Sequence, residues 1–130
     1  MRLRALALTL AVPAALALTA CSEDEGSVSN GAAAAGSADT TVTVTATDDA
    51  CQLSATKAAP GSVAFTVTNG GSKVNEFYLY QGSKVVGEVE DIGPGLTRTL
   101  TVKDLEAGTY TSACKPGMSG DGIRADFVVG

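Results

Sequence analysis

The sequence predicts an all-β protein, a Greek-key β-sandwich of seven to eight short strands. Apolar and polar residues alternate at period two in one short run after another between residues 41 and 129. Gly, Pro, Asn and Asp clusters punctuate these runs at regular intervals. No stretch of that region has the apolar spacing of an amphipathic helix. Together these features are the signature of a small antiparallel sandwich.

The elements follow in order. Val42, Val44 and Ala46 alternate with Thr41, Thr43, Thr45 and Thr47, an amphipathic run of good strand formers. Asp48-Asp49 reads as a turn, through side chains that hydrogen-bond nearby backbone. Cys51 to Ser54 makes a short second strand, broken by Lys57 to Gly61 with its Pro60-Gly61 pair. Val63, Phe65 and Val67 share a face in the strand from Ser62 to Thr68, and Asn69-Gly70-Gly71-Ser72 turns the chain. In the strand from Lys73 to Tyr80, Phe77 and Leu79 share one face and Glu76, Tyr78 and Tyr80 the other. The two tyrosines are expected to be exposed and to offer a patch for a partner. Gln81-Gly82-Ser83-Lys84 turns into Val85 to Glu90, and Asp91 to Gly95 is a loop. Leu96, Leu100 and Val102 point inward on the next strand, with Arg98 an awkward member of that face. Thr109 to Cys114 is a strand that runs into a Pro-Gly turn ending on Met118. The last strand, Ile123 to Val129, sets Ile123, Ala125, Phe127 and Val129 on one face; Asp121 belongs to the turn before it.

Upstream of this domain the chain changes character. Met1 to Arg4 is basic, Ala5 to Ala17 is apolar, and Leu18-Thr19-Ala20 precedes Cys21. This is an export signal, too short for a comfortable membrane span of roughly 20 residues. Leu-Thr-Ala-Cys resembles a bacterial lipobox, which implies cleavage before Cys21 and a lipid on it. Acyl chains contribute about 0.8 kcal/mol per buried CH₂, so lipidation would hold the protein at the outer face of the cell membrane. Residues 22 to 40 are small and acidic and read as a disordered tether, with a reach of about 25 Å. The expected organisation is signal over 1–20, lipidated Cys and tether over 21–40, and domain over 41–130.

Charge narrows the function. The chain carries −5, and loss of residues 1–20 leaves 7 basic and 14 acidic side chains, a net charge of −7. That composition disfavours nucleic acid as a partner and favours cations or basic proteins. The chain has no histidine. Histidine acid-base catalysis and His-ligated metal sites are therefore excluded, and the protein is not expected to be an enzyme.

Cys51 and Cys114 remain after Cys21 is set aside. In an exported chain such an even pair reads first as a disulfide. The competing reading gathers Cys51, Glu76, Cys114 and Met118 around a copper or iron ion, since thiolate and thioether suit Cu(I) and a carboxylate extends the set to Cu(II) or iron. The two readings can alternate with redox state, because both use the same sulfurs. If the cysteines are bridged, metal binding falls to carboxylates such as Glu76 and Glu90. Glu88, Glu90 and Asp91 otherwise read as a solvated acidic strand.

Gly108-Thr109-Tyr110-Thr111-x-x-Cys114 followed by Pro116-Gly117 resembles the C-terminal end of a cupredoxin. The resemblance implies a copper ligand at Cys114, yet Asn75 stands where copper proteins have one His, Met118 about where they have the second, and Ile123 about where they have the axial Met. A blue-copper site needs two imidazoles, so this chain cannot form one. Four stretches in order, Asp48-Asp49-Ala50-Cys51, Lys73 to Phe77, Glu88 to Gly95 and Cys114 to Met118, resemble the cupredoxin-like domain of EfeO, the exported component of a bacterial iron-uptake system. This resemblance covers about residues 41 to 129. It implies a copper- or iron-binding domain whose partner is an iron permease or binding protein. Ending at Gly130, the chain is expected to be a stand-alone version without the helical M75 peptidase-like domain. The alternatives are an interaction module with a structural Cys51–Cys114 disulfide and no metal, and a copper-dependent Fe(II) oxidase, against which the missing histidines count.

Overall fold

The computed structural model describes residues 38–130. The expected signal, the lipidation site Cys21 and most of the tether lie outside the described residues.

Nine strands form a two-layer sandwich. They are β1 (Thr40–Ala46), β2 (Cys51–Leu53), β3 (Lys57–Ala58), β4 (Gly61–Asn69), β5 (Asn75–Gln81), β6 (Lys84–Ile92), β7 (Thr97–Leu105), β8 (Gly108–Cys114) and β9 (Ile123–Val129). One sheet has the order β2-β1-β4-β7 and the other β3-β9-β8-β5-β6. The two-residue β3 lies inside the stretch read from sequence as a break.

The pairing is mixed rather than wholly antiparallel. β1 runs parallel to β4, with Val42 opposite Phe65 and Ala46 opposite Asn69. β3 runs parallel to β9. The cause is a change of sheet: after β2 the chain crosses to the adjoining edge of the second sheet as β3, then returns as β4 pointing the same way as β1. Pro60 ends β3, and Gly61, at φ 134°, starts β4 beside Asp39, whose carboxylate accepts the Ser62 N–H.

The core is built from inward positions of both sheets. Phe65 lies 5.2 Å from Phe77 and 5.2 Å from Phe127, centroid to centroid, and all three are fully buried. Val42, Val44, Val63, Val67, Leu79 and Ile92 fill the space around them. β6 and β7, on different sheets, approach closely at Gly87, where a Cβ would stand 2.6 Å from Val102 Cγ2. Near the start of β8 the Tyr110 hydroxyl donates to the Glu106 carbonyl, a tyrosine corner that pins the β7–β8 connection.

Three expectations of burial or exposure need correction. Leu96 is 53% exposed, because its N–H is tied to the Gly93 carbonyl in the loop and β7 begins only at Thr97. Ala125 is exposed, since β3 flanks β9 only at Val128 and Val129. Tyr78 and Tyr80, expected to be exposed, are each only 8% so, lying beneath the side chains of Lys115 and Arg124. Arg98 is half-buried on β7, an edge strand from which a long side chain can reach water.

Candidate functional site

The ends of β1, β4, β6 and β8 and the starts of β2, β5 and β9 meet at one pole of the sandwich. Its loops are cross-tied by two fully buried asparagines. Asn69 donates through Nδ2 to the carbonyls of Lys73 and Ile92, each at 2.7 Å, and accepts from the Gly71 N–H. Asn75, at the position where copper proteins have histidine, donates to the Thr47 carbonyl at 3.3 Å and accepts from Glu76 N–H at 3.0 Å. Asp48 holds the same pole from the β1–β2 turn. Its carboxylate accepts from Ser72 N–H, Lys73 N–H and the Ser72 hydroxyl. These bonds, the Ser72 hydroxyl foremost, hold the Asp48 carboxyl below the usual carboxylate range. Turn chemistry is thus the role of Asp48, as its sequence context suggests.

Cys51 opens β2 opposite Ala46, and Cys114 closes β8 opposite Phe77. Their Cα atoms are 5.6 Å apart and their sulfurs are bonded. The bridge joins the two sheets at the pole. With its sulfur so engaged, Cys114 is no thiolate ligand. The chain also lacks histidine, so these residues do not fit a blue-copper centre. Met118 ends the tight turn Pro116–Met118 and is 47% exposed. The turn is docked by Gly117 N–H on the Val74 carbonyl.

Glu76 goes elsewhere. It alternates with the core-facing Phe77, so its side chain lies on the outer face of the second sheet, away from the Cys114 sulfur on the inner face. Its Oε2 is 3.2 Å from the Tyr78 hydroxyl, and Glu90 Oε1, from the neighbouring strand, is 2.9 Å from the same hydroxyl. One phenol proton therefore faces two carboxylates. Burial, followed by the contacts with Glu90 and Glu76, pushes the Tyr78 phenol well above its ordinary range. Among the described residues no three Cys, Asp or Glu side chains gather as a metal centre. Of the four residues grouped from sequence, the structure joins Cys51 to Cys114, turns Glu76 to the opposite face of the sheet and leaves Met118 exposed at the closing turn. Tyr78 is the residue the sequence reading did not assign to the site. The signal for it was the face it shares with Glu76.

Two-sheet topology, a β8 strand ending in cysteine and a closing loop to β9 define a cupredoxin-type sandwich. The chain belongs to the cupredoxin-like domain family, whose model matches residues 8–129. It is 36% identical over 67 residues to the iron uptake system component EfeO of Yersinia pseudotuberculosis, and equally to that of Yersinia pestis. The matched segment is 52% of this chain and 18% of each relative, so the chain spans a small part of those proteins' length. Among solved structures, auracyanin B superposes with a TM-score of 0.60 at 16% identity, covering 74% of this chain and 92% of that one. An auracyanin from Roseiflexus castenholzii gives 0.54 at 13% identity, covering 73% and 99%. These two likenesses establish the fold.

Proposed function

We propose that this protein is an exported, lipid-anchored, non-catalytic component of iron uptake, which binds an iron ion and passes it to a permease or binding-protein partner. Similarity to EfeO supports the iron-uptake role. One observation carries the binding reading: two carboxylates, from Glu76 and Glu90, converge on a single buried phenol beside the pole. Hard oxygen donors suit a hard cation, and among the described residues neither Glu76 nor Glu90 is held in a salt bridge that would compete for it. Iron here is cargo, held by oxygen while the sulfurs brace the fold. An ion at this position would also lower the Tyr78 phenol from its raised range, as cations do for the groups that ligate them.

The test is anaerobic equilibrium dialysis of the full chain in detergent against Fe(II). Wild type should retain iron, and Glu76→Gln and Glu90→Gln should each lose it. A second reading, an interaction module braced by the disulfide with no metal, is favoured by the Cys51–Cys114 bond itself. It gains the ground if wild type retains no iron with the disulfide either intact or reduced.

A further inference from the structure

Two cations stand over the aromatic pair that borders this oxygen cluster. Tyr78 and Tyr80 lie near-parallel, 15° apart with centroids 5.6 Å from each other. Lys115 Nζ is 4.2 Å from the Tyr78 centroid and 5.9 Å from that of Tyr80. Arg124 Cζ is 4.9 Å from the Tyr80 centroid. The backbone fixes both: Lys115 N–H donates to the Glu76 carbonyl, and Arg124 pairs in register with Ala113. Arg124 donates its Nε–H to the Asp121 carbonyl, and one terminal nitrogen lies 3.9 Å from the exposed Asp121 carboxylate, so guanidinium donors remain. The Lys115 ammonium has no hydrogen-bond or ion-pair partner among the described residues.

In a chain of net charge −5, most of the surface repels anions. Lys115 and Arg124 set two positive charges on it, over the tyrosine pair beside the oxygen cluster. Ferric ion hydrolyses in neutral water and travels as a chelate of anionic oxygen ligands. We propose that Lys115 and Arg124, over the Tyr78–Tyr80 pair, form an anion subsite that takes the carboxylates of an organic-acid iron chelate. The proposal rests on the iron-uptake reading and names the form in which the cargo arrives. Each partner sees its complement. The carrier's carboxylates meet Lys115 and Arg124, while Glu76, Glu90 and Tyr78 face the metal.

Citrate without iron is the probe, titrated calorimetrically into the full chain in detergent. Wild type should show saturable binding. Lys115→Gln and Arg124→Gln should each weaken it about tenfold, the scale of one charge-assisted contact. Lys84→Gln, the same charge change at the far end of the β5–β6 hairpin, should leave it unchanged. Absence of saturable citrate binding by wild type overturns the subsite, as does equal weakening by Lys84→Gln. Fe(II) dialysis without citrate reports on the oxygen cluster separately, and Lys115→Gln and Arg124→Gln should retain iron there. Loss of iron binding in wild type with citrate binding intact would remove the cluster's role and leave the subsite standing.

Discussion

Replacing Cys51 and Cys114 together by alanine separates the structural role of the sulfurs from a ligand role. The bridge spans 63 residues of sequence. Closing such a loop in the unfolded chain corresponds to about 4 kcal/mol of stability at 25 °C by the chain-entropy account. Cys114 is fully buried, so the lost sulfur adds a small cavity cost of about 1 kcal/mol. A domain of this size has a total stability of about 5–14 kcal/mol. The variant should therefore lose roughly a third or more of its stability, with a melting point lower by about 20 °C or more. Urea denaturation followed by circular dichroism measures the loss, and reduction of the wild type should reproduce most of it. Fe(II) dialysis of the folded variant should still find iron bound. A loss below about 1 kcal/mol would refute the loop-closure reasoning. Abolished iron binding in a folded variant would return the sulfurs to the metal.

Asn69→Ala removes the donors to the Lys73 and Ile92 carbonyls and the acceptor for Gly71 N–H. Leaving such buried groups unpaired should cost about 3 kcal/mol in denaturant titration. Ser72→Ala removes the largest cause of the low Asp48 pKa. Because that pKa is depressed in the folded state, its stabilising contribution is present above the unfolded value and is lost as pH falls through the folded one. The Asp48 carboxyl resonance in Ser72→Ala should titrate at higher pH than in wild type, and the variant should lose less stability on acidification. Tyr78 runs the other way. Its phenol is raised, so its contribution is full below about pH 10 and is lost as pH rises through the folded value. In an absorbance titration Glu90→Gln should lower the pH at which Tyr78 ionises, and Tyr78→Phe should delete that step.

Much of the sandwich was legible because alternation and turn residues agree. Phe65, Phe77, Leu79 and Phe127 are buried where period two places them. The meeting of Glu90 with Tyr78 was not legible, and the reason is a bulge. From the turn outward, Gln81 pairs with Lys84 and Tyr80 with Val85, but Leu79 then pairs with Gly87 and Tyr78 with Glu88. Without that one-residue shift, Glu88 would face Phe77 across the hairpin. With it, Glu88 and Glu90 move to the outer face beside Tyr78 and Glu76. Nothing in the local sequence demands the shift; the close approach of Gly87 to Val102, a tertiary contact, accompanies it. The parallel β1–β4 pair was hidden for a similar reason, since a two-residue β3 is too short to show a period. Burial of Tyr78 and Tyr80 depends on Lys115 and Arg124, which reach them from another strand and from the turn after β8. The disulfide was one of two open readings of the same cysteines, and only the 5.6 Å approach of their Cα atoms brings it within bonding range.

Terbium(III) luminescence tests the oxygen cluster most directly, since a hard trivalent ion bound beside a tyrosine is excited through that ring. Titrated into the full chain in detergent, terbium should give a saturable emission under tyrosine excitation. Glu90→Gln and Tyr78→Phe should each abolish most of it, while the Cys51→Ala/Cys114→Ala variant keeps it. Emission that is absent in wild type, or that survives in Glu90→Gln and Tyr78→Phe but vanishes with the cysteines, would contradict the assignment of metal binding to Glu76, Tyr78 and Glu90.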